Sequence, residues 1–268
     1  MISRRTALLG LASSAAAGCT TTQTTQTAYQ VPVAPPPPDR ATMGIDAVID
    51  ISRFVTVTDF RQVHASGILG VVQKATEGGN YIDPTCAPRR PAAEAAGLLW
   101  GTYHFGTGQM SGERQAAFYL SISKPGPRTL LALDLELNEP NPANTMRLDQ
   151  AEEFVKTVAN ATGRLPVVYV HPTWADGEPL PNSGYSLGAR ITPQSILARC
   201  PLWVADYHDS PEVPQAWATV GWKLWQYAGD ENAGRPAYGQ TNIVKGVSHC
   251  DRNLFNGDAS GLRRFWGA

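Results

Sequence analysis

The sequence predicts an α/β fold, an irregular, TIM-barrel-like β/α barrel with about eight strands. From residue 43 onward, short apolar runs alternate with longer segments of helical pattern, which is typical of βα units around a parallel sheet. The helices fall mainly in the first half, because the later connections are rich in Pro, Gly, Asn and Asp. An open doubly wound sheet is the alternative, but no glycine-rich phosphate loop follows the first strand.

The N-terminal segment has the pattern of an export signal followed by a tether. In residues 1–19, two arginines precede a short apolar run that ends in small residues before Cys19. That run is shorter than the roughly 20 apolar residues of a membrane-spanning helix. Cys19 stands where a lipoprotein is acylated, so membrane anchoring through a lipidated Cys19 and free secretion both remain open. Residues 20–42, rich in Thr, Gln and Pro, are expected to be a disordered tether to the folded domain, 43–268.

The elements of the folded domain follow from apolar periodicity. Eight runs are predicted as strands, at 47–52, 69–76, 98–105, 129–136, 165–170, 201–207, 222–228 and 247–255. Helices are predicted over 87–97, 112–122 and 148–163. In the last of them Phe154, Val155 and Val158 share one face, and Gly163 stands where a C-cap belongs.

Composition excludes several classes of function. A formal net charge of -1 offers no basic surface for nucleic acid. The histidines and cysteines lack the close spacing of metal ligands, so no metal is expected. In an exported protein Cys86, Cys200 and Cys250 allow one disulfide with one free thiol, and the sequence does not choose the partners.

The most informative run is LLALDLE, an apolar strand that ends in Asp134 and Glu136. Side chains two residues apart lie on the same face of a strand. Burying an unpaired carboxylate is costly, and the carboxyl ends of barrel strands form the mouth where substrates bind. The alternative is that the two acids cap the next helix or form surface ion pairs. Asp50 closes the first strand and Asp251 lies at the last, so closure of the barrel would bring both toward the pair.

Such a carboxyl pair suits glycosidic cleavage. That reaction needs one acid to protonate the leaving oxygen and a second group to stabilise positive charge at the sugar carbon. Partial burial and mutual repulsion raise one pKa and leave the other group ionised.

Aromatic side chains supply flat surfaces for sugar rings at the same strand ends. Apolar surroundings favour core positions for Trp203 and Trp225, although Trp225 stays a candidate, and His104 is expected to orient a carboxylate in the cleft. The candidate substrate-binding residues are Tyr103, His104, Tyr169, Tyr207, Trp225 and Tyr227.

Nine motifs in one order resemble glycoside hydrolase family 25, the Chalaropsis-type lysozymes. They are GIDAVIDIS, VVQKATEGGNYIDP, AAGLLWGTYHF, QAAFY, LALDLE, LPVVYV, LWVADY, LWQYA and CDRNLFNG. By this resemblance Glu136 matches the general acid and Asp134 the group that assists at the anomeric centre. Asp50 and Asp251 match the other two aspartates of the acidic cleft. Asp50 is preferred to Asp46 because Ile-Ser follows it.

The resemblance implies an N-acetylmuramidase that cleaves the β-1,4 bond between N-acetylmuramic acid and N-acetylglucosamine in peptidoglycan. No metal or organic cofactor is implied, and a monomer in the periplasm or at the cell surface is expected. Two alternatives stay open, a non-catalytic cell-wall glycan-binding protein on the same barrel and a glycosidase for another N-acetylated polymer such as chitin. The apolar turn SRFVTVTDF and the long loop at 174–192 depart from the family pattern.

Overall fold

Eight strands close into a barrel in the computed structural model, which describes residues 43–229 and 243–267. A ninth, two-residue strand, β3, pairs with β2 outside the ring. The predicted export signal, the tether and Cys19 lie outside the described residues. The strands are β1 (Ile45–Ile51), β2 (Gly70–Glu77), β3 (Tyr81–Ile82), β4 (Leu99–Phe105), β5 (Leu130–Asp134), β6 (Val167–Val170), β7 (Leu202–Ala205), β8 (Trp222–Ala228) and β9 (Asp251–Phe255).

The ring runs β1, β2, β4, β5, β6, β7, β8, β9 and back to β1. Neighbouring strands are parallel, except that β9 is antiparallel to both β1 and β8. The predicted irregular β/α barrel is confirmed, and its irregularity includes this reversed strand. As a result, the first residue of β9 stands at the same end of the barrel as the last residues of the other strands.

Helices cover the outside mainly along the first half of the chain. They are α1 (Phe60–Ala65), α2 (Cys86–Ala95), α3 (Gly112–Ser123), α4 (Leu148–Thr162), α5 (Pro172–Ala175) and α6 (Ala259–Trp266). The three predicted helices correspond to α2, α3 and α4, and Gly163 ends α4 in a left-handed conformation as expected. Helices α1, α5 and α6 were not predicted from the sequence, and α1 and α5 are too short to show a periodic pattern. None of the described helices is long and apolar enough to span a membrane.

The last helix, α6, closes the bottom of the barrel. Its Trp266 is fully buried, and the indole N–H donates to the carbonyl oxygen of Trp100 at 2.9 Å. The indole lies so close to two strands that a Cβ on Gly70 would stand 2.9 Å from it and one on Gly101 would stand 3.2 Å away. A side chain at Gly70 would therefore force the indole to shift, and one at Gly101 would make a tight contact with it. Because apolar side chains fill this end, we expect a substrate to approach the other end of the barrel.

Alternation along the strands separates two faces. Side chains such as Val72, Ala132 and Leu224 point into the barrel, whereas those such as Val71, Leu133 and Val204 pack beneath the helices. Cys86, Cys200 and Cys250 are buried thiols that no disulfide joins to one another. The disulfide that the sequence allowed is therefore absent among the described residues.

Candidate active site

Four carboxyl groups from distant parts of the chain meet at the open end of the barrel. Asp50 lies near the end of β1, Asp134 ends β5 and Glu136 follows two residues later. Asp251 begins β9 and is paired with Asp50 across the two strands. All four line one pocket of about 350 Å³, together with Tyr103, Tyr169, Trp203 and Gln226.

Asp50 is held by neutral amide donors. The Gln226 side-chain amide donates to both carboxylate oxygens, at 3.2 and 3.1 Å, and the Asn253 amide donates to Oδ2 at 2.7 Å. The side-chain oxygen of Gln226 in turn accepts hydrogen bonds from the hydroxyl groups of Tyr169, at 2.9 Å, and Tyr207, at 2.8 Å. This network orients the Asp50 carboxylate as an acceptor and leaves its negative charge uncompensated by these partners.

The pair on β5 has a different environment. Asp134 is 7% exposed, and its buried Oδ1 has no hydrogen-bond partner among the residues that the structure describes. Burial raises the pKa of Asp134 well above its ordinary value, and the neighbouring Glu136 raises it further, whereas Lys74 opposes both. Burial likewise raises the pKa of Glu136 to about 7, with Glu139 and Asp50 adding to the effect and Lys74 opposing it. Each of the two carboxyl groups therefore binds its proton more tightly than an exposed carboxyl group does.

Glu136 is the more accessible of the pair. It is partly exposed, and besides the pocket it lines an adjoining groove of about 1240 Å³ that Tyr169 also borders. Residues of the long loop at 174–192 form part of the groove wall. The groove is also lined by Phe105, Trp174, Leu180 and Tyr207. An extended chain of sugars can therefore approach Glu136 along this groove.

The prediction that His104 lies in the cleft is wrong. His104 is fully buried on the outer face of β4, where it stacks on Phe154 at a centroid distance of 4.9 Å. Its ring nitrogens lie 2.8 Å from Thr76 Oγ1 and 3.1 Å from Gln115 Oε1. Burial lowers its pKa to about 4, so the imidazole is neutral. Tyr103 is the residue of this pair that faces the pocket.

Trp225 and Tyr227 are also placed on the outer face, contrary to the prediction. Both are buried beneath the loops around β8, and the Trp225 indole donates to the carbonyl oxygen of Asp206. Tyr227 donates to Asp46 Oδ2 at 2.7 Å. The residue between them, Gln226, points into the barrel instead. In the sequence, a polar residue between two aromatic residues of an apolar strand was the signal that Gln226, and not its neighbours, faces the inside of the barrel.

Three residues of the site were missed, namely Trp203, Gln226 and Asn253. Trp203 lines the pocket, and its indole N–H donates to Asn253 Oδ1 at 2.6 Å. Its apolar surroundings in sequence suggested a core position, which does not distinguish the inside of a barrel from the layer beneath the helices. Across residues 43–229 and 243–267, no group of three His, Cys, Asp or Glu side chains has the arrangement of a metal site.

Comparison with known proteins gives a consistent result. The model of the family described as glycosyl hydrolases family 25 matches residues 49–234. Lysozyme M1 of Streptomyces globisporus is 29% identical over 233 residues, which covers 82% of this chain and 71% of that protein. The N,O-diacetylmuramidase of Chalaropsis is 29% identical over 143 residues, 47% of this chain and 65% of that protein.

Solved structures extend the likeness to the whole barrel. The bacterial lysozyme from Streptomyces coelicolor superposes with a TM-score of 0.68 at 28% identity, covering 84% of this chain and 98% of that one. A muramidase from Acremonium alcalophilum gives a TM-score of 0.65 at 31% identity, covering 82% and 97%.

Proposed function

The chain belongs to glycosyl hydrolase family 25 and is a glycoside hydrolase, and from this premise we propose that it cleaves peptidoglycan between N-acetylmuramic acid and N-acetylglucosamine. The observation that carries the proposal is the carboxyl pair of Asp134 and Glu136 at the mouth of the barrel. Both groups have a raised pKa, and Glu136 also faces the groove.

Glu136 is the general acid of the proposed reaction. A group with a pKa near 7 is protonated in a substantial fraction of molecules at neutral pH and still releases its proton readily. Its partial exposure lets it reach a glycosidic oxygen, whereas Asp134 lies deeper. When the proton passes from Glu136 to that oxygen, the bond from the oxygen to the anomeric carbon breaks and the leaving sugar departs as an alcohol.

Asp134 assists at the anomeric centre. Its unpartnered Oδ1 is suited to accept the N–H of the substrate's N-acetyl group. We infer that the acetyl oxygen then attacks the anomeric carbon, forming a cyclic intermediate that water opens with the Glu136 carboxylate as base. This route retains the anomeric configuration. NMR of the first product reports the configuration, and an inverted product would exclude the route.

Asp50 and Asp251 add negative charge beside the reacting carbon. The amides of Gln226 and Asn253 orient the Asp50 carboxylate in the pocket, where its negative charge would stabilise a developing oxocarbenium ion. We also propose that the protein acts as a monomer. We also propose that the protein is exported to the periplasm or cell surface, with Cys19 as the site of any lipid anchor. Such a location would give access to the wall.

The decisive experiment compares the wild type with Glu136→Gln on purified cell walls, by turbidity and by reducing-end release. The variant keeps shape and hydrogen bonding but lacks the acid, so turnover should fall by about 10²- to 10⁴-fold while the protein still sediments with walls. Glu94→Gln is the matched control, because Glu94 is exposed on α2 and pairs with Arg90.

Full activity in Glu136→Gln would reject the acid assignment. Equal inactivity of wild type and variant, with wall binding intact, would favour a non-catalytic binding protein. Preferential cleavage of chitin by the wild type would show that the substrate is another N-acetylated polymer and not peptidoglycan.

A further inference from the structure

A tight turn after β1 is fastened to the barrel from two sides. The peptide N–H of Arg53 donates to Asp83 Oδ2 at 2.8 Å, and that of Val55 donates to the carbonyl oxygen of Ser52 at 3.1 Å. From α2, the Arg89 guanidinium donates to the carbonyl oxygens of Ser52 and Val55. The anchor Asp83 is 1% exposed, Arg89 is partly buried, and the Val55 side chain at the end of the turn is 2% exposed. The backbone of the turn is therefore preorganised at the mouth of the barrel.

This rigid turn presents two side chains to solvent. Phe54 is 69% exposed, and the guanidinium carbon of Arg53 lies 4.5 Å from the centre of its ring and 5.7 Å from that of Tyr81. Within the part of the chain that the structure describes, no carboxylate forms an ion pair with the Arg53 guanidinium. Its N–H groups therefore remain available to a ligand.

The same contacts continue to the active site. Lys74 Nζ lies 5.6 Å from the ring centre of Tyr81 and 4.9 Å from that of Phe105. Phe105 lines the groove beside Glu136. Phe54, Arg53, Tyr81, Lys74 and Phe105 thus form an alternating series of rings and cations, which we name the cation–aromatic ladder. It runs from the groove to the exposed turn. Lys74 pairs with Glu77 at 2.7 Å, so the positive charge that the ladder offers to a ligand is that of Arg53.

A positive surface beside an acidic catalytic pocket suits an anionic branch of the substrate. N-acetylmuramic acid differs from N-acetylglucosamine by a lactyl ether, which ends in a carboxylate or continues into a short peptide that carries carboxylates. A guanidinium fixed by stacking presents a planar fork of donors that matches a carboxylate. The neighbouring exposed ring can cover the apolar part of the same branch.

We propose that Arg53 and Phe54, supported by Tyr81 and Lys74, form a subsite for the carboxylate-bearing lactyl or lactyl-peptide branch of muramic acid. The subsite rests on the proposed function, since it selects among glycans that approach the Glu136 pocket. It would make the enzyme prefer wall glycan over a polymer of N-acetylglucosamine alone.

The test measures binding to the Glu136→Gln variant, because this variant is not expected to cleave the ligand during the measurement. Soluble peptidoglycan fragments are compared in three forms, with the acidic stem peptide, with only the lactyl carboxylate after amidase treatment, and with all carboxylates converted to amides. Arg53→Gln should raise Kd roughly tenfold for the two charged forms and leave the amidated form unchanged, since the lost bond is charge-assisted. Arg61→Gln, which alters an arginine with 84% side-chain exposure on α1, should change none of them.

An equal loss on charged and amidated fragments would overturn the subsite in favour of neutral sugar stacking, and unchanged binding of all three would overturn it outright. Turnover of the charged fragment by the protein with Glu136 intact is followed in parallel. Absence of turnover counts against the proposed cleavage, while the binding comparison still decides the subsite.

Discussion

Two aspartates on β1, four residues apart, have opposite surroundings. Asp46 Oδ2 accepts hydrogen bonds from Arg252 Nη2 at 2.6 Å and from the Tyr227 hydroxyl at 2.7 Å. The Arg252 side chain is 4% exposed; burial opposes its ionisation, but Asp46 and Tyr227 raise its pKa overall. Asp50, in contrast, accepts hydrogen bonds from the side-chain amides of Gln226 and Asn253 and lies among other acids at the mouth.

The difference separates a carboxylate that stabilises the fold from one that is poised for chemistry. The charge on Asp46, whose side chain is 30% exposed, is matched by the buried guanidinium of Arg252 on the outer face, so removal of Asp46 takes a charged partner away from a buried cation. The charge on Asp50 is directed into a pocket that holds Asp134 and Glu136. Asp46 is four residues from Asp50, so regular alternation would place both side chains on the same face of β1. A register shift between β1 and β9 beside Asp46 interrupts this alternation and turns the Asp46 side chain outward.

Two substitutions, one at each aspartate, are expected to give the largest effects, one on stability and the other on kcat. Asp46→Asn should lower the free energy of unfolding by about 2 to 3 kcal/mol, because the buried Arg252 guanidinium loses the charge-assisted hydrogen bond to Asp46, while kcat of the folded fraction is unchanged. Asp50→Asn should lower kcat about 10²-fold or more and change stability by about 1 kcal/mol. Urea unfolding and turnover on cell walls measure both quantities. Matching losses in the two variants would refute the separation of roles.

The Glu136 site predicts a smaller, pH-dependent effect on stability. A raised pKa means that the folded state holds its proton more tightly, so stability is lost as pH rises from the ordinary value of 4.5 to about 7. Glu136→Gln removes that penalty. We expect the variant to be more stable by about 2 kcal/mol at pH 8, after discounting for partial exposure, and unchanged at pH 4. Urea unfolding at the two pH values measures this, and a variant destabilised at pH 8 would contradict it.

The smallest expected effect is on the pH profile. Because the acid must be protonated, kcat/KM should fall above pH 7 by about tenfold per pH unit, the alkaline limb following the pKa of Glu136 in the free enzyme. Glu139→Gln removes a charge that raises this pKa and should move the limb toward lower pH. An unmoved limb in Glu139→Gln would exclude Glu139 as a contributor.

Much of the fold could be predicted because its signals are local. LLALDLE places two acids on one face by period-two alternation, and the apolar face of α4 with Gly163 at its end needs no tertiary information. The aromatic residues of the mouth were predicted less well. His104, Trp225 and Tyr227 sit one residue from inward-facing positions, and both faces of a barrel strand are buried, so apolarity cannot tell them apart.

By itself, the sequence determined the α/β barrel, the order of its elements and the pairing of Asp134 with Glu136, since these depend on periodicity along a few residues. Tertiary structure alone decided that β9 runs backwards, which brings Asp251 to the mouth, and that Asp46 meets Arg252 while Asp50 meets Gln226. Those contacts join residues about 180 to 200 positions apart, and their geometry follows from strand direction and barrel closure, which no local pattern encodes.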